Sequence, residues 1–219
     1  MKRRFSRSLC RESGFTLIEM IGVLAIIAIL IAAISPRIFE AISDSRITGC
    51  ASMIKTVQTA TSKYYADVGT LLPLSAAGVP TVDAAGANLP GVLTGTTAVP
   101  NPPVGSWAKF KGPYLEKFVS TNPPVGTAMT MPAVAAVAGA ANAGNSTNFD
   151  LNGDGTGDFV ATGQVVSLTF TGVGSKEFEK LDKILDEGIG ATAAEQQARG
   201  KVKWAAAGAG TMRVYLADK

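Results

Sequence analysis

Gly14-Phe15-Thr16-Leu17-Ile18-Glu19 opens the stretch of sequence that decides the fold. An apolar run follows it as far as Ser35, and Glu19 is the only charged residue in this span. As a helix, the 21 residues from Phe15 to Ser35 are about 30 Å long, which matches the hydrocarbon core of a bilayer. Pro36 follows the run, and five basic residues precede it: Lys2, Arg3, Arg4, Arg7 and Arg11. Because basic flanks stay in the cytoplasm, the sequence predicts a single-pass inner-membrane anchor with a cytoplasmic N-terminus.

The sequence around the apolar run differs from the common secretion signals. A cleaved secretory signal ends in small residues of the A-x-A kind, whereas this run leads into Ser35-Pro36-Arg37. A lipoprotein would carry its cysteine after the apolar core, but Cys10 lies before it. Glu19 is unusual because an acid at the centre of a membrane costs about 2.5–3.5 kcal/mol, and less near an interface. It therefore indicates either a pairing partner or a position close enough to the headgroups to stay hydrated.

Together these residues resemble the type III signal of type IV pilins and type II secretion pseudopilins. The basic leader, Gly14, the aromatic Phe15, the glutamate Glu19, the apolar span and Pro36 occur in the order that the family shows. The resemblance implies that a prepilin peptidase cleaves between Gly14 and Phe15 and methylates the new amine of Phe15. It also implies that Glu19 pairs with the Phe15 amine of a neighbouring subunit during assembly. Ala28 is a departure, because these pilins often have glycine there, which bears on any local melting of the helix before Pro36.

For the whole chain, the resemblance implies a structural subunit with an α+β fold, in which a long kinked N-terminal helix packs on a small antiparallel-sheet head. The implied segments are a leader (1–14), a transmembrane and filament-core half of the helix (15–35), its amphipathic half (36–66) and a globular head (67–219). The implied partners are other copies of the chain, the prepilin peptidase, an assembly ATPase and an inner-membrane assembly platform. The implied destination after the inner membrane is a periplasmic pseudopilus or an extracellular pilus.

Beyond Pro36, apolar residues recur at helical spacing, and polar residues occupy the other faces. The sequence therefore predicts one helix from Phe15 to about Tyr65, kinked near Pro36, whose second half presents an apolar stripe to the head. Cys50 lies on that stripe and is expected to be a small buried apolar residue. Many type IV pilins close a C-terminal loop with a disulfide. Because Cys10 leaves with the implied leader, no intrachain disulfide can form here, which favours a pseudopilin-like or related subclass.

The rest of the chain predicts a head of loops, short strands and one helix. Six prolines between residues 69 and 106 exclude a long helix and indicate irregular loops with short strands or turns. Gly112-Pro113-Tyr114-Leu115 resembles a pseudopilin turn that leads into the sheet, and the aromatic residues around it are expected to pack on the core. The predicted regular elements are a strand (165–170), a helix (175–187), a capped turn (192–195) and a terminal hairpin (201–207 with 211–217). The acids Asp182 and Asp186 of this helix have either a functional role or, as we expect, a place on a solvated face.

The stretch of the head with the clearest pattern of potential metal ligands runs from Asp150 to Asp158. Carboxylate, amide and hydroxyl oxygens alternate with other residues along it, at Asp150, Asn152, Asp154, Thr156 and Asp158. A hard cation such as calcium needs several such oxygens around it, and a glycine allows the sharp turn that brings them together. The stretch resembles calcium loops of the Asp-x-Asn-x-Asp-Gly kind, although Ala161 replaces the closing glutamate of an EF-hand. A calcium site and a plain turn with hydrated acids both fit the sequence.

Composition excludes several classes of function. The net charge is +3, but residues 1–14 contribute +4, so the remaining chain carries −1 and gives no basic field for nucleic acid. The sequence contains no histidine, which excludes histidine-based catalysis and histidine metal ligands. It also contains no P-loop or dinucleotide-binding glycine pattern. No enzymatic activity and no nucleic-acid partner are expected, and the energy for assembly has to come from a separate ATPase.

Two functions from different classes stay open at this point. The first is a pilin or pseudopilin subunit that polymerises, either as a surface fibre or in secretion. The Gly112-Pro113-Tyr114-Leu115 segment and the missing disulfide favour secretion, while the long variable middle of the chain suits a surface pilus. The second is a calcium-dependent surface-binding protein that keeps its leader as a membrane anchor.

Overall fold

The computed structural model describes residues 14–81, 88–135, 148–159, 164–187, 189, 192–205 and 210–218. The chain divides into two compact units, Met1–Asp44 and Ser45–Lys219. A single long helix, α1 (Leu17–Val68), contributes residues to both units. The long N-terminal helix that the sequence predicts is therefore confirmed, and it ends three residues beyond the expected Tyr65.

In the first unit, the apolar side chains of α1 are exposed. Phe15, just before the helix, is 86% exposed, and Leu17 is 77% exposed. The mean hydropathy of α1 reaches 2.9 over 18 residues, so the helix is long and apolar enough to cross a membrane by length and composition. Pro36 lies inside α1, and the hydroxyl of Ser35 donates to the carbonyl of Ile31 at 2.7 Å. The kink near Pro36 stays a prediction.

In the second unit, one stripe of α1 is buried. It consists of Ile47, Cys50, Ala51, Ile54, Val57, Ala60, Thr61, Tyr64 and Val68. These residues recur every three or four positions, which is the spacing of one helix face, and they join the main hydrophobic core. Cys50 is fully buried, as the sequence predicts, and burial raises the pKa of its thiol to about 12.

An antiparallel sheet forms the other side of this core. Its strands are β1 (Ala128–Thr130), β2 (Ala133–Ala135), β3 (Gln164–Thr171), β4 (Val202–Ala205) and β5 (Thr211–Asp218). They lie in the order β1-β3-β5-β4, and β2 also pairs with β3. The predicted strand and terminal hairpin are confirmed as β3 and as the antiparallel pair β4 and β5. The helix and sheet together confirm the α+β class.

Each face of the sheet carries apolar residues. Alternate residues of a strand point to opposite faces, and β3 has apolar residues at consecutive positions. Leu168 and Phe170 of β3 face the main core with α1. Val165 of β3 and Tyr215 of β5 instead belong to a second, smaller cluster with Phe149. The segment of residues 148–159 thereby packs against the face of the sheet that does not meet the main core.

The described helices of the head are short. They are α2 (Leu89–Thr94), α3 (Ser175–Leu185), α4 (Ala193–Gln196) and a 3-10 turn at Gly105–Lys109. Within the proline-rich stretch, α2 differs from the predicted loops and strands. It forms because Pro90 sits in the first turn, where a missing N–H costs nothing, and the Asn88 side chain accepts the Gly91 N–H at 2.7 Å.

The last two helices follow the sequence more closely. The predicted helix at residues 175–187 is confirmed as α3, which ends two residues earlier. The capped turn is confirmed as α4, since the Thr192 N–H and hydroxyl donate to Glu195 and the Glu195 N–H donates back. Of the alanine-rich stretch 133–144, residues 133–135 form β2 and the others lie outside the described residues.

Candidate processing, assembly and cation sites

The implied cleavage position lies just before the first turn of α1. Gly14, Phe15 and Thr16 are exposed and precede the first helical residue, Leu17. A peptide bond that lies outside a helix can enter a peptidase active site without any helix being unwound. The Gly14–Phe15 bond therefore lies where a protease can reach it.

Glu19 caps the start of α1. Its Oε2 accepts hydrogen bonds from the backbone N–H of Thr16 at 2.8 Å and from the Thr16 hydroxyl at 2.7 Å. The Glu19 N–H donates to the Thr16 hydroxyl in return, at 3.3 Å. This reciprocal pattern is a capping box, and it places a negative charge at the positive end of the helix dipole. The Thr-x-x-Glu spacing of a capping box is present in the sequence at Thr16 and Glu19.

The loop of residues 150–158 is organised by Asp150, which is fully buried. Its Oδ1 accepts the N–H groups of Gly153 at 2.8 Å and Asp154 at 3.1 Å, and its Oδ2 accepts that of Gly155 at 2.8 Å. The guanidinium Nε of Arg199 lies 3.8 Å from Oδ2. A single carboxylate thus fixes three consecutive backbone N–H groups and has a cation beside it.

The other polar side chains of the loop also bond to one another. Asp154 Oδ1 accepts the N–H and hydroxyl of Thr156 at 2.7 and 2.6 Å, and Asp158 Oδ2 accepts the N–H of Leu151 at 2.7 Å. The Asn152 amide nitrogen donates to Asp154 Oδ2 at 3.2 Å and to Asp158 Oδ1 at 3.0 Å. An N–H donor therefore lies between two acids where a cation would need an oxygen.

The five predicted ligands thus lie in one hydrogen-bonded loop. Within the described part of the chain, no three acidic or cysteine side chains are grouped so that they could hold a metal ion. Rotation of the Asn152 amide by half a turn would exchange its nitrogen and oxygen and present an oxygen to the cation. Calcium binding by this loop stays a prediction.

A buried lysine joins this loop to the sheet. Lys203 of β4 is fully buried, and its ammonium donates to the backbone carbonyl of Asn148. The same ammonium lies 5.2 Å from the centre of the Phe149 ring. Burial lowers the pKa of Lys203 to about 8, and the carboxylate of Asp150 acts in the opposite direction. No sequence pattern indicates this role, because a lysine in a strand is usually solvated.

The expectation that Asp182 and Asp186 lie on a solvated face of α3 is wrong. Their exposed fractions are 3% and 5%. Asp186 Oδ2 accepts the N–H of Val202 at 2.7 Å, so this face of α3 is covered by the segment that enters β4. Gly200, with φ +85°, lies so close that a Cβ there would be 2.4 Å from Asp186 Oδ2. The sequence does not reveal this contact, because Val202 lies more than ten residues beyond Asp186 in the chain.

The Gly112-Pro113-Tyr114-Leu115 segment is held against the end of α1. The Asp67 carboxylate accepts the Lys111 ammonium at 3.0 Å and the Tyr114 hydroxyl at 2.9 Å. The hydrogen bond from Lys111, followed by that from Tyr114, holds the pKa of Asp67 below its usual value. The Tyr114 ring meets those of Tyr64 and Phe110 edge-on at 6.0 and 5.3 Å between centres. The aromatic residues therefore pack on the core as expected.

Comparison with known families adds one match. Residues 9–35 match the family profile of the prokaryotic N-terminal methylation motif. The match covers the end of the basic leader, the Gly14–Phe15 bond, Glu19 and the whole apolar run. No curated protein and no solved structure matches the chain significantly.

The chain carries the prepilin-type signal of type IV pilins and pseudopilins. The match supports a type IV pilin-like precursor of the kind that prepilin peptidase processes. The long N-terminal helix followed by a small antiparallel sheet is consistent with a type IV pilin-like fold.

We expect D150A to destabilise the head by about 3 kcal/mol, because three backbone N–H groups lose the fully buried carboxylate that accepts from them. Chemical unfolding of the full chain in detergent, followed by tryptophan fluorescence, measures the change. D154A is the matched control, since Asp154 is exposed and its loss should cost less than about 1 kcal/mol. Equal effects of the two substitutions would contradict the organising role of Asp150.

Proposed function

We propose that this chain is a structural subunit that polymerises, after removal of residues 1–14, into a type IV pilus or a type II secretion pseudopilus. The proposal rests on two observations together. Residues 9–35 match the methylation motif, and the apolar side chains of α1 are exposed in the first unit of the chain. A pilin-family motif indicates a structural protein, and the expected absence of enzymatic activity is part of the proposal.

The exposed apolar surface of α1 suits two successive environments. In the inner membrane, lipid tails cover the side chains from Phe15 to Ser35, and the helix spans the bilayer once. In a filament, the same side chains pack against those of neighbouring copies, so no apolar surface is left in water. The assembly platform and its ATPase supply the work of moving subunits from one environment to the other.

Glu19 can serve in both environments. The hydrogen bonds from Thr16 reach one of its two carboxylate oxygens. A carboxylate offers about four acceptor positions, so the cap can persist while Glu19 accepts the Phe15 amine of a neighbouring copy. Such a pair neutralises two charges among apolar helices, and it favours one axial register because other registers leave both charges unpaired.

The mature N-terminus separates the two functions that the sequence leaves open. We expect mass spectrometry of the protein from its native cells to give a chain that starts at N-methylated Phe15, because residues 9–35 carry the processing signal. A chain that retains Met1 or Lys2 would instead support the leader-anchored calcium-dependent binding protein. Imaging of isolated filaments then distinguishes a surface pilus from a periplasmic pseudopilus.

We expect E19A to insert into the membrane and to be cleaved, but to assemble few or misregistered filaments, because the Phe15 amine loses its acceptor. Filament yield by shearing and membrane content by fractionation measure the two effects. E40A is the matched control, since Glu40 is an exposed acid of the same helix beyond the apolar run. Normal filament yield from E19A would remove the pairing role.

We also propose that the loop of residues 150–158 binds calcium through Asp150, Asn152, Asp154, Thr156 and Asp158. The chemistry of the donors supports this, since carboxylate, amide and hydroxyl oxygens are hard ligands. Binding requires the Asn152 amide to turn and the hydrogen bonds within the loop to open. The expected affinity is therefore modest, because the loop gives up interactions that it already has.

We expect calcium to raise the melting temperature of the full chain in detergent, because an ion that binds only the folded state stabilises it by mass action. Asp154→Asn should reduce the shift, while Asp67→Asn, outside the loop, should leave it unchanged. Identical melting curves in calcium and in excess chelator would make the segment an ordinary turn.

A further inference from the structure

Two buried acids, Asp182 of α3 and Asp186 directly after its last residue, lie one helical turn apart. Among the described residues, no hydrogen-bond donor reaches Oδ1 of either side chain, and both atoms are inaccessible to solvent. Buried carboxylate oxygens almost always accept a hydrogen bond, because losing water without replacement costs several kcal/mol. Two such oxygens, one turn apart, need a common explanation.

The charged surroundings of the pair are sparse. From α3 itself, the charge that acts on Asp182 is that of Asp186. From the segment that enters β4, Lys201 is the charged group that faces Asp186, and its side chain is exposed. Nearby, α3 and β4 meet through the stacked rings of Phe178 and Trp204, 5.7 Å apart. One exposed cation and an apolar contact cannot balance two buried negative charges.

A proton on one of the two carboxyl groups lessens both difficulties. It removes one of the two negative charges, and a neutral carboxyl group without a partner costs far less to bury than a carboxylate without one. A metal ion is a poorer explanation, because among the described residues no third acid joins the pair.

We propose that the pair Asp182 and Asp186 holds one proton at mildly acidic pH, and that its release to solvent as the pH rises through neutrality loosens the contact between α3 and the segment entering β4. The contact between α3 and the segment entering β4 depends on this proton because Asp186 accepts a hydrogen bond from that segment. Asp186 Oδ2 fixes the N–H of Val202, and Gly200 packs directly against the same oxygen. A second full charge at this position demands water, which can enter only if the segment moves away from α3.

The direction of the pH effect follows from linkage. Burial raises the pKa of both acids, that of Asp182 to about 7, and the charge of Asp186 adds to the effect on Asp182. A raised carboxyl pKa favours the folded state at low pH, and this stability is lost as the pH rises through the folded value. The head should therefore lose stability as the pH rises from about 4, the ordinary carboxyl value, to about 7.

The first test is the melting temperature of the full chain in detergent at pH 5.5 and pH 8.5. We expect a decrease of about 4–8 °C for the unmodified chain and less than half of that for D182N, in which the amide replaces the protonated acid. E179Q is the matched control, because Glu179 is an exposed acid of α3 and its loss should leave the decrease unchanged. The same decrease in D182N as in the unmodified chain would overturn the proposal.

The second test needs no variant and covers the case that D182N fails to fold. Infrared difference spectra of the unmodified chain between pH 5.5 and 8.5 should show the C=O stretch of a carboxylic acid that disappears at the higher pH. No acid band at pH 5.5 would overturn the proposal. Both tests use unassembled protein, so their outcome does not depend on whether the chain forms filaments.

Discussion

The structure depends on one helix that satisfies two different solvation requirements along its length. Up to Asp44, the apolar residues of α1 are exposed around the helix and need lipid or other helices to cover them. From Ile47 onward, only one stripe is buried, and the remaining faces are polar. The pattern of apolar residues therefore changes from all-round to one-sided within a single continuous helix. The part of α1 up to Asp44 therefore needs partners to cover its apolar side chains, whereas the part from Ile47 onward packs on the hydrophobic core of the head.

Three buried charged residues of the head each position a segment of irregular chain. Asp150 fixes the turn after Phe149, Lys203 fixes the carbonyl of Asn148, and Asp186 fixes the start of β4. Backbone N–H and C=O groups in irregular segments have no regular partner, so buried side chains have to supply one. With Cys50 alone and buried, no disulfide can take over this role in the described head. In this head, hydrogen bonds from buried side chains fix the irregular segments that disulfides fix in other small domains.

Periodicity in the sequence was sufficient for α1, β3, α3 and the terminal hairpin, because each carries its own hydrophobic pattern. It failed where the partner of a residue is distant in the chain. Asp182 and Asp186 look like a solvated face until the segment around Val202 covers them. Pro90 looked like a helix breaker, but it occupies the first turn of α2, where proline is tolerated. In the loop of residues 150–158, the same oxygens that predict a cation also form a closed set of hydrogen bonds, so the pattern could not distinguish the two.

On the proposed function, cleavage changes the electrostatics of the anchor as well as its length. Residues 1–14 carry a net charge of +4, and on this proposal that charge holds the N-terminus in the cytoplasm and resists extraction from the membrane. Removing them leaves one new amine at Phe15, four residues from the Glu19 carboxylate. When this amine pairs with the acid of a neighbouring copy, the apolar segment carries no net charge. A segment that carries no net charge can leave lipid for a bundle of identical helices at little electrostatic cost. On this proposal, processing converts an anchor that is held in the membrane into a subunit that can be extracted from it.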